Sequence, residues 1–209
     1  KILSADKIDI VNANVDYLPS EQKETTTTFT FGNKVAIILW GQVPAGILME
    51  SKEVAQSNIS FFNNLWNREV KIYTGAEGIR QAYWEMIVGD AKTFRGYGYS
   101  KKFADIYNVD FSDAWHKERL RKGITNKIIS YDDKDSKNYF EPRIKNVNLF
   151  EVRYLNADLQ GPLCVSFSET MVVTFVYTEQ EFKVIINKNK ETIAAYRKHF
   201  ESLWNKAKH

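Results

Sequence analysis

Residues 51–67 read SKEVAQSNISFFNNLWN, and residues 189–205 read NKETIAAYRKHFESLWN. When the two segments are aligned without gaps, Phe62 falls on Phe200, and the Leu-Trp-Asn that ends at Asn67 falls on the one that ends at Asn205. An apolar run precedes each segment, GILME at 46–50 and KVIIN at 183–187. A similarity of this length indicates an internal repeat, and the rest of the chain is interpreted from it.

Both copies have the pattern of an amphipathic helix that closes a structural module. Apolar residues in the first copy recur on one helical face, and Ser51 is a suitable N-cap, so a helix is predicted from 51 to about 67. The second helix is predicted from 192 to about 206. Large aromatic residues near the helix ends are expected to anchor the two cores: Phe62, Trp66, Phe200 and Trp204.

The repeat extends upstream of these helices. VDYL at 15–18 matches VRYL at 152–155, and KVAIIL at 34–39 falls on MVVTFV at 171–176, both at an offset of 137. One extra residue near 188 is expected to raise the offset to 138 in the closing helix. Residues 70–143 read as strand, helix, strand, helix, strand and have no second copy. We therefore predict an α/β protein with a complete module at 69–209, preceded at 1–68 by the C-terminal half of a second module.

Composition sets the broad class. The 209 residues are 44% apolar and 14% aromatic, which is typical of a globular protein with a sizeable core. No apolar run reaches the length of roughly 20 residues that spans a bilayer, and the first residues do not resemble a signal peptide. The lone Cys164 excludes an internal disulfide and is expected to be a buried thiol in a reducing cytoplasm. A net charge of +3 does not indicate a polyanionic partner.

Short motifs in both parts of the chain resemble the C-terminal, phospholipase D-like domain of the TrmB-like transcriptional regulators. In the complete module these are YTGAEGI at 73–79 and RKGI at 121–124. In the half module they are YLP at 17–19, GNKVAI at 32–37, PAGI at 44–47, ESKE at 50–53 and the aromatic helix end at 62–66. The resemblance covers nearly the whole chain and implies a phospholipase D-like sheet flanked by helices.

The resemblance also implies a role in effector sensing and dimerisation, with a small-molecule effector and a homo-oligomer as expected partners. Members of that family carry a winged helix-turn-helix before this domain, and the present sequence contains no such motif. Direct DNA contact is therefore expected only through an upstream segment. The front half of the first module, about 70–80 residues by comparison with the second, would also lie upstream or be supplied by another chain.

Enzymes of the phospholipase D type need an H-x-K motif followed by Asp, in which His is the nucleophile and Lys neutralises the phosphate. The matching strands read TTTTFTFGNK at 25–34 and CVSFSETM at 164–171, and neither contains a His. The three histidines of the chain, His116, His199 and His209, lie outside any H-x-K pattern. The sequence thus predicts no catalytic residues, and no cofactor is expected.

An effector site is predicted where strands of the complete module end. Ligands of open α/β sheets bind beyond the carboxyl ends of strands, and glycines there admit a ligand to the backbone. The segment RGYGYS at 95–100 and the end of the next strand supply the candidate residues: Arg95, Tyr97, Tyr99, Ser130, Tyr131 and Asp132. The alternative is that the tyrosines fill the layer between sheet and helices.

Three other polar clusters are interpreted as structural. His116, near Asp113 and Glu118, is expected to be a solvated surface residue rather than a metal ligand, so no metal site is predicted. The acidic run at 132–135 is expected to cap a helix, since it lacks the Gly and the final Glu of a calcium loop. A basic run is expected to be an ordinary exposed face rather than a nucleic-acid contact: Lys117, Arg119, Arg121, Lys122 and Lys127.

Two further functions remain open at this stage. One is a divergent or degenerate phospholipase D-like phosphodiesterase or nuclease, which would need active-site residues from the missing front half. The other is a protein-interaction scaffold without a small-molecule ligand.

Overall fold

The computed structural model describes residues 1–5, 8, 10–18, 25–88, 90–106, 109–178 and 182–208, without the side chains of Tyr17 and Val109. Pro19 of the YLP motif and His209 lie outside these residues. The chain divides into two compact units, 1–68 and 69–209. The boundary falls between the same two residues as in the sequence prediction.

The described residues of unit 1 form a small antiparallel sheet with one helix, preceded by a short parallel pair of strands. After a short parallel pair, β1 (Ile2–Ser4) with β2 (Val15–Tyr17), three strands form a meander: β3 (Thr26–Phe31), β4 (Lys34–Leu39) and β5 (Ala45–Glu50). Gly32 in the tight β3–β4 turn has φ +57, a conformation that glycine adopts without a steric penalty. The predicted first helix is confirmed as α1 (Lys52–Trp66), with the Ser51 hydroxyl accepting from the Val54 amide. Helix α1 packs on all three strands.

Unit 2 is a seven-stranded mixed sheet flanked by helices. Its elements in chain order are β6 (Val70–Thr74), α2 (Gly75–Val88), β7 (Thr93–Tyr99), α3 (Lys101–Ala104), α4 (Val109–Arg121), β8 (Thr125–Tyr131), α5 (Lys134–Asn146), β9 (Phe150–Leu155), β10 (Leu163–Phe167), β11 (Val172–Tyr177), β12 (Phe182–Asn187) and α6 (Lys190–Lys206). The strand order is β6-β12-β11-β10-β7-β8-β9. Strands β7, β8 and β9 are parallel, and the other pairs are antiparallel.

The two faces of this sheet carry separate cores. Helix α2 packs on β6 and β12, α5 packs on β8 and β9, and α4 packs on α2. The apolar cluster on this face includes Tyr83, whose ring packs against those of Trp115 and Phe175. Helix α6 covers the opposite face, where Phe200 and Trp204 pack against Phe167 and neighbouring residues. The sheet is therefore buried on both sides.

The segment β3-β4-β5-α1 and the segment β10-β11-β12-α6 have the same order of elements, three antiparallel strands followed by a helix. Thr26 pairs with Leu39 in the first, and Leu163 pairs with Val176 in the second, which preserves the offset of 137. In the next hairpin, however, Leu39 pairs with Ala45 whereas Val176 pairs with Lys183, so the offset there is already 138.

The extra residue therefore lies in the connection between β11 and β12, and its predicted position near 188 was wrong. Side-chain alternation explains this register. Val35 and Val172 are both buried, and their cross-strand partners are Met49 and Asn187, which are related by 138. A shift of one residue would have exchanged the two faces of the strand.

Candidate functional site

The strand that would carry an H-x-K motif is β10. Its side chains on the helix α2 face of the sheet are buried in the core. Cys164 and Ser166 stand on the face covered by α2, with Cys164 fully buried and Ser166 nearly so. The Tyr99 hydroxyl hydrogen-bonds to the Ser166 hydroxyl, and the Tyr83 hydroxyl lies 3.5 Å from that of Tyr99. Burial raises the pKa of both the Cys164 thiol and the Tyr99 phenol, so each stays protonated near neutral pH. This strand provides no ionised nucleophile.

The residues of the predicted effector rim separate onto opposite faces of the sheet. A bulge at Gly98, which has φ +83, shifts the β7–β8 register between Tyr97 and Tyr99. Tyr97 consequently packs towards α6, edge-on to His199 at 5.3 Å, whereas Tyr99 belongs to the core under α2. A Cβ at Gly98 would lie 2.3 Å from the Leu163 carbonyl oxygen, so glycine is required sterically as well.

The remaining rim residues are held by local contacts. Arg95 Nη1 lies 3.2 Å from a Glu169 carboxylate oxygen and donates to it, and its Nε lies 3.9 Å from Glu201. The Ser130 hydroxyl donates to the Tyr99 carbonyl at 2.8 Å. Asp132 pairs with Lys137 at 2.6 Å, which lowers the pKa of Asp132.

Tyr131 is buried, and burial raises its pKa. Tyr99 and Tyr97 pack in the layers on opposite sides of the sheet, and the rim remains a prediction.

A different cavity lies between β8 and helices α2, α4 and α5. Its volume is about 30 Å³, and it is partly open to solvent. The polar residues that line it are Tyr83, Tyr99, Ser112, His116, Asn126 and Arg143. The aromatic and apolar residues that line it are Phe111, Trp115, Ile128, Tyr139, Phe140 and Phe150. Tyr99 is the residue that this cavity shares with the predicted rim.

His116 belongs to this cavity, and the prediction that it is a solvated surface residue was wrong. Helix α4 begins at Val109 and places His116 edge-on to Phe150 at 5.8 Å. Its Nδ1 accepts a hydrogen bond from Arg119 Nε at 3.3 Å. Burial, followed by the nearby charges of Arg119 and Arg143, lowers the pKa of His116 from 6.5 to about 4, so the imidazole is neutral at physiological pH.

Arg119 is a fully buried clamp rather than part of an exposed basic face. Its guanidinium donates to the carbonyls of Ile124, Leu149 and Asn148, the latter two at 3.0 and 3.1 Å. These contacts fix the turn before β9, where Leu149 has φ 55. This left-handed conformation is unfavourable for residues other than glycine. The sequence did not predict this role of Arg119, because a guanidinium that binds only backbone carbonyls leaves no recognisable residue pattern.

Three other basic residues of the run are also engaged. Arg121 pairs with Glu118, Lys122 donates to the Ile87 carbonyl, and Lys127 pairs with Glu151. The acidic run behaves as predicted, since Asp133 caps α5 by accepting from the Ser136 amide at 2.8 Å. Within the described residues, no group of three or more His, Cys, Asp and Glu side chains could hold a metal ion.

The repeat anchors differ in burial between the two units. Phe200 and Trp204 are buried and stacked at 5.3 Å, with Arg153 over the Trp204 ring at 4.5 Å. Phe62 and Trp66 stack in a similar way at 5.6 Å but are only half-buried. In the part of the chain that is described, no helix is long and apolar enough to cross a membrane.

Comparisons with known proteins identify similar folds at low sequence identity. The chain is similar to TrmBL2, an archaeal chromatin protein whose structure shows a novel mode of DNA binding, with 15% identity and a TM-score of 0.48. The alignment covers 75% of this chain and 62% of TrmBL2, so the chain spans less than two thirds of that protein.

Two further solved structures are similar to the chain at comparable scores. NucT from Helicobacter pylori is 14% identical, with 66% of this chain and 96% of NucT covered and a TM-score of 0.47. The phospholipase D family member Nuc from Salmonella typhimurium is 16% identical, with 67% and 97% covered and a TM-score of 0.47. No family model and no curated protein sequence matches the chain.

Proposed function

We propose that this chain is a non-catalytic sensor and dimerisation module of a TrmB-like transcriptional regulator. The sequence motifs at 73–79, 32–37 and 50–53 support the family, and the mixed sheet flanked by helices agrees with the fold that they imply. DNA contact would come from an upstream helix-turn-helix, and the module itself would bind a small effector and a second subunit.

The main support for the proposal is that other, buried side chains occupy the place of the H-x-K motif on β10. A phosphodiesterase of the phospholipase D type needs an exposed imidazole nucleophile beside an ammonium group. Cys164 and Ser166 occupy the corresponding strand, and Tyr99 and Tyr83 close the space in front of them. A substrate phosphate finds neither a nucleophile nor a cation there.

The effector would occupy the cavity between β8, α4 and α5. This cavity combines a guanidinium, an imidazole and an amide with several aromatic rings, a composition that is typical of small-molecule sites. Tyr99 contacts Ser166 on β10 and also lines this cavity, so the proposed ligand site adjoins the strand that lacks the H-x-K motif.

We also propose that unit 1 is the C-terminal half of a second module. Its β3-β4-β5-α1 order and its first hairpin register match those of β10-β11-β12-α6. No element among the described residues of unit 1 matches β6-α2-β7, so we propose that a front half comes from elsewhere in the polypeptide or from another chain.

One experiment separates the regulatory role from the enzymatic alternative. The purified chain is incubated with bis(p-nitrophenyl) phosphate beside the Cys164→Ala/Ser166→Ala variant, and a parallel sample from its own host is analysed by native mass spectrometry. We expect no hydrolysis above the buffer rate and a dimer that carries a small molecule. Hydrolysis that the double variant abolishes would overturn the proposal in favour of a divergent phosphodiesterase.

A further inference from the structure

The cavity between β8, α4 and α5 presents unused hydrogen-bonding groups on buried residues. Ser112 is 6% exposed and Asn126 is 7% exposed, and both line the cavity. Among the described residues, neither the Ser112 hydroxyl nor the Asn126 amide has a hydrogen-bond partner. Both groups retain surface that faces the partly open cavity, so each is available to hydrogen-bond to a molecule that enters it.

The charge of the cavity is positive and uncompensated. Arg143 donates through Nη1 to the Tyr139 carbonyl at 2.8 Å and stacks over the Tyr139 ring at 3.7 Å, which leaves other N–H groups of the guanidinium free to donate. Arg119 lies on the far side of His116. The residues that line the cavity include no Asp or Glu, and Arg143 forms no ion pair with any carboxylate of the described residues.

His116 adds a further donor with a defined proton position. Its Nδ1 accepts from Arg119, so the proton of the neutral imidazole must reside on Nε2. The Nε2–H group has no partner among the described residues. The cavity therefore offers donors from Arg143, His116, Asn126 and Ser112, and such a set recognises an acceptor with negative charge.

The volume of the cavity selects among anions. One water-sized group needs about 10–15 Å³ by this measure, so a volume of about 30 Å³ holds two or three heavy atoms. A planar carboxylate group matches this space, whereas a tetrahedral phosphate would have to extend into the open side of the cavity. Because the cavity is partly open, the rest of a ligand can extend outward past the aromatic residues.

We propose that this cavity binds the carboxylate of a small organic acid, with Arg143 as the charged donor and Asn126, Ser112 and His116 Nε2 as neutral donors. The proposal rests on the effector-binding role given above and names the chemical class of that effector. Of the six residues of the predicted rim, Tyr99 is the one that lines this cavity.

The test uses the whole 209-residue chain and isothermal titration with benzoate, benzamide and inorganic phosphate. Benzamide has the shape of benzoate without its charge, and phosphate has charge without the planar shape. We expect saturable binding of benzoate, with benzamide and phosphate at least about tenfold weaker. Arg143→Gln should weaken benzoate binding by about tenfold or more, and Asn126→Asp should abolish it through charge repulsion.

A matched control is Arg121→Gln, which removes an exposed guanidinium from α4 that is paired with Glu118 and does not line the cavity. It should leave the affinity for benzoate unchanged. Far-ultraviolet circular dichroism of each variant confirms that the protein remains folded, and Arg143→Lys serves as the conservative variant if Arg143→Gln unfolds.

Any of the following results would overturn the inference: no binding of benzoate, equal binding of benzamide, or an affinity that Arg143 variants do not change. Each leaves the regulatory proposal standing, since that proposal is tested separately by phosphodiester hydrolysis and by native mass spectrometry. Preferential binding of phosphate would replace the carboxylate by a different anion and would likewise refute the class proposed.

Discussion

The segments β3-β4-β5-α1 and β10-β11-β12-α6 are two versions of one supersecondary unit in very different surroundings. In unit 2 the face of the sheet opposite the closing helix lies under α2, and Ile186 there is 0% exposed. The corresponding face of unit 1 is open, with Leu48 64%, Phe31 53% and Phe29 51% exposed. The comparison shows that this unit buries only its helix-covered face by itself, and that burial of the other face depends on the strand–helix elements that precede it.

The largest expected contrast comes from one matched pair on this face. Ile186→Ser should reduce the free energy of unfolding of unit 2 by about 4 kcal/mol, since it removes a buried side chain and buries a hydroxyl. Leu48→Ser, at the equivalent position by register, should change the stability of unit 1 by less than about 0.5 kcal/mol. Hydrogen exchange followed by mass spectrometry reports the stability of each unit separately. Equal losses in both units would mean that the face of unit 1 is covered in solution.

A second contrast uses the buried clamp, which has no equivalent in unit 1. Arg119→Met should lower the stability of unit 2 by about 3 kcal/mol, because three carbonyls lose their donor and the strained turn at Leu149 loses its support. Urea unfolding measures the loss, and Arg121→Met on the exposed side of the same helix is the control. If Leu149→Gly, which relieves the backbone strain, does not restore part of the lost stability, the role of the turn is wrong.

A smaller difference is expected between the aromatic anchors. Phe200→Ala should cost about 3–5 kcal/mol, since Phe200 is 1% exposed and packs against both Phe167 and Trp204. Phe62→Ala should cost roughly half as much, because Phe62 is half-buried and stacks on Trp66 alone among the ring contacts described. Calorimetric unfolding of both variants tests this order, and a greater loss for Phe62 would contradict it.

The smallest expected effect is the response to pH, which concerns unit 2 because all three histidines lie there. The unfolded chain protonates His116 near pH 6.5, whereas burial and two guanidiniums keep the folded imidazole neutral down to about pH 4. The free energy of unfolding of unit 2 should therefore fall by no more than about 3 kcal/mol as the pH drops from about 6.5 to about 4, and by less where solvent screens the imidazole. His116→Gln should flatten this part of the profile in urea unfolding measured between pH 7 and pH 4. An unchanged slope would show that His116 is solvated in the folded protein.

Much of this fold could be predicted from sequence because it depends on local periodicity. The stripe that ends in Trp66 and the N-cap at Ser51 specify α1, and the repeated aromatic residues locate its counterpart α6. The positions of the candidate site residues could not be predicted in this way. Tyr97 and Tyr99 are two residues apart and would share a face of a regular strand, but the bulge at Gly98 sends them to opposite sides of the sheet. His116 likewise depends on how α4 packs against β9, which no spacing within the helix reveals.

Cys164 stands at the centre of the sheet in unit 2, and unit 1 contains no thiol. An alkylating reagent can reach that sulfur only when the surrounding sheet and helices separate, so the rate of labelling measures how often unit 2 opens. The labelling rate of Cys164 therefore reports the opening of unit 2 alone. Any ligand that stabilises unit 2 should lower this rate, and the change can be measured in unfractionated mixtures without a purified complex.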